Sequence, residues 1–173
     1  MFTKTDIEKY FMAEKQAGLL FLVIGILAIL IAVVFFFLLK TNFYKGAAVP
    51  LLVLGLIEAA VGFAVYKRSD ADRIRNVYAY DMNPQELRDK ELPRMQKVNA
   101  NFTIYRWAEI IFAVGGIVLL FLFRSNPEKT FWYGLGITLT IQALLLFAAD
   151  TNAEKRAKEY RGKLSAFLAV KPM

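Results

Sequence analysis

Four long apolar runs dominate the sequence and limit the folds that it can adopt. They cover residues 17–39, 46–66, 102–123 and 130–149. A helix needs about 20 apolar residues to cross the roughly 30 Å hydrocarbon core of a bilayer, and each run is long enough. The chain is also 57% hydrophobic, which is more than is usual for a soluble domain of this size. The sequence therefore predicts an all-α integral membrane protein in which residues 1–173 form a single domain.

The distribution of positive charge predicts the orientation of these spans. Seventeen Lys and Arg residues lie in the two terminal segments and between the second and third runs, whereas four lie in the two short turns on the other side. Positively charged flanks are retained on the cytoplasmic side of a membrane. We therefore expect a multi-pass protein of a bacterial inner membrane, with both termini in the cytoplasm.

Helix signals continue beyond the apolar runs on the cytoplasmic side. Thr5 to Glu8 has the arrangement of a capping box, and Asn83 followed by Pro84 is typical of a helix start. Pro93 predicts a kink or a break in the third helix. The predicted extensions cover residues 5–16, 67–101 and 150–168. The expected architecture is an up-down four-helix bundle whose helices extend into the cytoplasm.

The two halves of the chain are weakly similar at an offset of 84 residues. Carried without a gap over residues 24–70, this offset gives 11 identities in 47 positions. Two hypotheses explain the match: shared membrane composition, or duplication of a two-helix hairpin. Duplicated hairpins would be parallel repeats, related by an axis along the membrane normal. Such an axis would place Glu58 and Gln142 at equivalent positions.

Four polar side chains interrupt the predicted spans, namely Glu58, Arg106, Glu109 and Gln142. At about 1.5 Å per residue, Glu58, Glu109 and Gln142 lie about 10–12 Å from the cytoplasmic ends of their helices, so we expect them in one layer. A charged group at that depth costs at least a few kcal/mol. This cost predicts that Arg106 neutralises Glu58 or Glu109. Either the layer joins the helices, or a carboxylate left without a partner takes up a proton or a cation.

The absence of two residue types, and the mixing of acidic with basic residues, exclude several classes of function. The chain has neither Cys nor His, so it lacks the commonest metal ligand, thiolate chemistry and the usual general base. We expect no cofactor, no metal site and no enzymatic activity. Acidic residues alternate with the basic ones in the extensions, which argues against nucleic acid as a partner. Attraction to anionic lipid headgroups explains the net charge of +7.

Two functional hypotheses remain. The first is an interaction protein that binds another membrane protein through its spans or its extension, as a regulator, an assembly subunit or an immunity-type inhibitor of a membrane-acting toxin would. Candidate contacts to a partner or to headgroups are Arg73, Arg75, Arg88, Arg94, Lys155 and Arg156. The second hypothesis is a small proton- or cation-coupled transporter, acting as a homodimer, in which Glu58 and Glu109 titrate.

Overall fold

The computed structural model describes residues 2–170, and this part of the chain consists of helices joined by short turns. The four helices are α1 (Lys4–Leu39), α2 (Asn42–Met82), α3 (Pro84–Phe123) and α4 (Pro127–Val170). Each is long and apolar enough to cross a membrane. The predicted all-α class is confirmed, and the four helices indicate a multi-pass membrane protein. Residues 1 and 171–173, which include the positively charged Lys171, lie outside the described part.

Three of the helices contain a turn of different geometry. In α1, the α-helical segment Lys4–Val34 is followed by the π-helical turn Phe35–Leu39. In α3, the π-helical turn Leu87–Glu91 precedes the α-helical segment Leu92–Phe123. In α4, the 3₁₀ turn Pro127–Lys129 precedes the α-helical segment Thr130–Val170. The π turn of α3 lies directly before Pro93, where the sequence predicted a kink or a break. Pro93 then falls in the first turn of the following segment, where its missing N–H is not needed. The change of helical register allows α3 to continue past the proline.

The N-terminal cap lies two residues earlier than the sequence predicted. The Thr3 hydroxyl accepts a hydrogen bond from the Asp6 N–H at 3.3 Å, and the Asp6 carboxylate accepts one from the Thr3 N–H at 2.9 Å. The prediction of Thr5 as the cap was therefore wrong. The earlier start is favoured because it places the Phe2 ring against the rings of Tyr80, Tyr160 and Phe167, where Phe2 is buried.

Glycine residues allow the helices of each hairpin to pack closely. A Cβ on Gly25 of α1 would lie 2.6 Å from the carbonyl oxygen of Gly55 on α2, and one on Gly116 of α3 would lie 2.9 Å from that of Gly136 on α4. Both pairs are therefore in backbone contact, which the small side chains permit. The turn between α1 and α2 is short, and Lys40 in it adopts the left-handed conformation at φ 57°.

The two hairpins meet along α2 and α4, which run in the same direction. A Cβ on Gly46 would overlap the backbone of Phe131, and the Thr138 hydroxyl donates a hydrogen bond to the Ala47 carbonyl oxygen at 3.0 Å. The main helix contacts join α1 to α2, α2 to α4 and α4 to α3. Gly46 and Phe131 are 85 positions apart, close to the offset of 84. The contact is therefore consistent with a duplicated hairpin, which stays a prediction.

The charged ends of the helices form a region with its own hydrophobic core, which we call the extension. All four helices contribute to the core, whose members are Phe2, Ile7, Tyr10, Phe11, Ala79, Leu87, Met95, Ala157, Tyr160, Leu164 and Leu168. The rings of Tyr10 and Tyr160 stack with their centroids 4.2 Å apart. Burial of each large apolar side chain contributes roughly 1.5–3 kcal/mol. The extension is therefore a packed structure.

Candidate functional site: polar groups within the helices

The structure corrects the expected partner of Arg106. Its guanidinium group pairs with the carboxylate of Glu154 on α4, and it forms no ion pair with Glu58 or Glu109. The other oxygen of Glu154 is 2.7 Å from the Lys158 ammonium group. Glu154 lies beyond the last apolar run, among the acidic residues that alternate with basic ones in the extension. In the structure it is buried, because α3 packs against this face of α4.

Glu109 lies next to a second carboxyl group that the sequence interpretation did not consider. Its side chain lies close to that of Asp150 on α4, just beyond the fourth apolar run. Asp150 is eight residues beyond Gln142, which is about 12 Å along a helix. Glu109 therefore lies about two turns from the level of Gln142. The expected single polar layer is divided into a pair at Glu109 and a deeper level at Glu58 and Gln142.

Glu58 and Gln142 are buried without hydrogen-bond partners. Glu58 is 6% exposed and Gln142 is 7% exposed. The Glu58 Oε2 and Gln142 Oε1 atoms have no hydrogen-bond donor within residues 2–170, and Glu58 forms no ion pair there. The parallel packing of α2 and α4 places both side chains at similar depth. This level consequently contains two acceptor oxygens for which the described residues supply no proton.

A buried ion pair lies at the base of the extension. Arg94 donates to both carboxylate oxygens of Glu91, at 2.7 and 2.8 Å, and the Asn76 amide donates to the same carboxylate at 3.3 Å. The Arg94 guanidinium group also lies over the Phe11 ring, 5.2 Å from its centroid. Glu91 is only 1% exposed. A two-pronged pair of this kind fixes the geometry of both side chains on α3, and their contacts with Asn76 and Phe11 connect this helix to α2 and α1.

Glu14 joins the same cluster from α1. One of its oxygens is 3.0 Å from Arg68 and 3.9 Å from Arg94, and the other has no hydrogen-bond partner in the described residues. Burial raises the pKa of the Glu14 carboxyl above its ordinary value, although Arg94 and Arg68 oppose this effect. The cluster therefore contains a carboxylate whose charge is incompletely compensated.

The six basic residues predicted to contact a partner or headgroups have different environments. Arg94 is enclosed in the cluster above, and Arg88 donates a hydrogen bond to the Leu168 carbonyl oxygen at 2.6 Å. Arg73 and Arg75 pair with Asp70 and Asp72 on their own helix, at 3.5 and 2.8 Å. Lys155 and Arg156 form no ion pair within residues 2–170. Of these six, Lys155 and Arg156 are the two that form neither an ion pair nor a side-chain hydrogen bond within the described residues, and Lys155 is exposed.

The described residues contain no group of three or more acidic side chains able to hold a metal ion. The two best-formed depressions are shallow. One lies on the extension between Glu8 and Tyr78, and the other lies at the outer turn near Asn126 and Tyr133. Neither is lined by Glu58 or Gln142.

Comparison of the chain with known protein families, curated proteins and solved structures gave no match.

Proposed function

We propose that this protein crosses a bacterial inner membrane four times, with its termini and extension in the cytoplasm, and binds another membrane protein without catalysing a reaction. The positive charges of the extension support this orientation. The short turns on the opposite side leave little surface there. A partner would therefore contact the spans or the extension, as expected of a regulator, an assembly subunit or an immunity-type inhibitor.

The observation that carries this proposal is the continuity between the spans and the extension. Each helix runs from its apolar part into the extension, and the extension is packed around its own core. A partner bound to this region can consequently act on the spans through helices rather than through a flexible linker. The shallow depressions offer no enclosed site for a small substrate. Shallow depressions of this kind suit the binding of another protein's surface.

Lys155 and Arg156 are the residues that we assign to this contact. They follow the fourth apolar run closely and have no ion-pair partner among residues 2–170. Basic groups at this level also attract anionic headgroups, by about 1 kcal/mol for each residue near the surface. The same two side chains can therefore bind lipid in the free protein and an acidic partner surface in the complex.

Crosslinking in native membranes, followed by mass spectrometry, tests the proposal. Charge reversal at Lys155 and Arg156 should reduce the yield of the crosslinked partner at least fivefold. Charge reversal at Lys9 and Lys97, which are exposed and form no ion pair within residues 2–170, is the matched control and should leave the yield unchanged. A yield that is insensitive to both pairs would contradict the assignment to the extension. Absence of any crosslinked protein would contradict the proposed function itself.

Glu58 favours a second candidate function, a proton- or cation-coupled transporter. A buried carboxyl group without a partner is a functional candidate in a membrane span, because an unpaired charge there is costly. Purified protein in liposomes would then move protons or a monovalent cation down a gradient, and Glu58→Gln would abolish the flux. Absence of flux across a range of gradients would exclude this candidate without affecting the first.

A further inference from the structure

Three large apolar side chains form an exposed stripe on the extension part of α2. Ile74, Tyr78 and Met82 are 65%, 62% and 68% exposed. They are four residues apart, so they lie along one face of the helix. Elsewhere in the described extension, the exposed large apolar side chains are Met12 and Val170, at 50% and 82%. A continuous apolar stripe of this kind usually marks an interaction surface.

Lipid does not cover this stripe in the proposed orientation. Ile74 is eight residues and Met82 sixteen residues beyond Tyr66, the last residue of the second apolar run. At about 1.5 Å per residue, these side chains project about 12 to 24 Å from the membrane surface. The stripe is therefore in water and requires a protein to cover it.

The same exposed face continues down α2 into its apolar part with the spacing of a coiled coil. Its residues, at alternating intervals of four and three, are Ala60, Ala64, Lys67, Ala71, Ile74 and Tyr78, and all are exposed. This seven-residue repeat is the pattern of a helix that pairs with another helix. The alanines allow close approach within the membrane. The Lys67 ammonium group lies 6.0 Å from the centroid of the Phe63 ring.

The charges beside the stripe complement those of an identical helix. In a parallel pair with this repeat, each Asp70 lies opposite Arg75 of the other helix, because flanking positions five residues apart face each other. A two-fold axis forms this contact twice. Both side chains are partly exposed, and within the monomer Asp70 pairs with Lys15 of α1 and Arg75 pairs with Asp72 of its own helix. The flanking charges at Asp70 and Arg75 are thus complementary in such a pair, whereas Lys67, close to the membrane surface, must direct its ammonium group away from the seam.

We propose that a second copy of the chain covers this stripe, forming a parallel homodimer through α2 about an axis along the membrane normal. The dimer would bury Ile74, Tyr78 and Met82 against their counterparts. This inference rests on the stripe and on the orientation of the proposed function, not on the identity of another partner. Lys155 and Arg156 lie on α4, so the dimer leaves them accessible.

Cysteine crosslinking tests the proposal directly, because the chain contains no Cys. Ala71→Cys and Ile74→Cys, each in the full chain reconstituted in liposomes, should form a disulfide-linked dimer on mild oxidation. Ala100→Cys, on an exposed position of α3, is the control. We expect at least ten times more dimer from the two α2 variants. Equal yields from all three variants would overturn the proposal.

Measurement of mass provides an independent test. The unmodified protein should have a protein mass twice 19.7 kDa in detergent. The double variant Ile74→Glu, Tyr78→Glu should fall to the monomer mass with unchanged helical circular dichroism, whereas Val170→Glu, at an exposed apolar position of α4, should remain dimeric. A monomeric unmodified protein would overturn the proposal. Crosslinking of the stripe only to a different protein would also overturn it, while leaving the membrane-partner function intact.

Discussion

The Arg106 guanidinium group on α3 pairs with the buried Glu154 carboxylate on α4, one oxygen of which also contacts Lys158. Two cationic side chains therefore pair with one carboxylate at the boundary between the apolar part of the molecule and the extension. As a consequence, the positive charge that the sequence placed within the spans is unavailable to Glu58. Neutralising Glu58 and neutralising Glu154 should therefore change the stability of the protein in opposite directions.

Arg106→Gln should lower the free energy of unfolding by about 1–3 kcal/mol, because a buried carboxylate loses a charged hydrogen-bond partner. Lys158→Gln should cost less, about 0–1 kcal/mol, since the Lys158 side chain is 56% exposed. Thermal unfolding in detergent measures both. A double-mutant cycle should give coupling between positions 106 and 154. Coupling between positions 106 and 58 above about 0.5 kcal/mol would contradict the assigned pairing.

Glu58→Gln should raise the free energy of unfolding by about 1 kcal/mol, because it removes a charge that is buried without a partner. Glu154→Gln is the matched control, since Glu154 is equally buried but paired. That substitution should lower the stability. Equilibrium unfolding of the two variants in the same detergent compares them. A loss of stability in Glu58→Gln would indicate a partner that the described residues do not contain.

Gly46→Ala should separate the two hairpins and lower the free energy of unfolding by about 2 kcal/mol, because the new methyl group overlaps the Phe131 backbone. Gly115→Ala provides the control within an apolar helix. A Cβ on Gly115 meets no atom within 4 Å, so this change should stabilise α3 by about 0.5–1 kcal/mol. Distances between spin labels on α2 and α4 would report the separation. Similar stability changes in both variants would count against the close contact.

Glu14→Gln should alter the dependence of stability on pH. The folded pKa of Glu14 lies above its ordinary value of 4.5, so the stabilising contribution of this group is complete below 4.5 and is lost as the pH rises through the folded pKa. The variant should therefore gain melting temperature relative to the unmodified protein as the pH increases through this range. Differential scanning fluorimetry at pH 4 to 7 measures the difference.

Asp6→Asn, on the same helix, should change the pH dependence of stability in the opposite direction. Hydrogen bonds from Lys163 and Thr3 lower the pKa of Asp6 below its ordinary value of 3.8. Its contribution is present above 3.8 and is lost as the pH falls through the folded pKa, so this variant should lose melting temperature relative to the unmodified protein as the pH rises from about 2 to 4, and differential scanning fluorimetry over that range measures the difference. The same sign for both variants would show that burial does not dominate at Glu14.

The sequence predicted the four apolar helices and their continuation into the extension because helix length and hydropathy are properties of local sequence. The partners of Arg106 and Glu109 could not be predicted in this way. They depend on the register of α3 against α4, which the contact between Gly116 and Gly136 determines. Measuring the depth of each residue from the end of its own helix placed Glu109 level with Gln142. That placement was wrong.

The Glu91 and Arg94 pair was also missed, although the spacing of three residues is a usual one for a helical ion pair. Glu91 is buried at the end of the π turn Leu87–Glu91, and sequence patterns do not predict such a turn. The N-terminal cap at Thr3 was also not predictable from local sequence. Two capping patterns overlap at this terminus, and packing of Phe2 favours the earlier one.

The core of the extension is assembled from separate parts of the chain, Phe2 to Phe11, Ala79 to Met95, and Ala157 to Leu168. In the proposed topology, these segments are connected only through the spans. The core can therefore close only after the last segment has left the ribosome and all four helices have been inserted. Completion of the core would then act as a checkpoint, because a chain with one helix wrongly inserted would expose these apolar side chains to quality-control proteases.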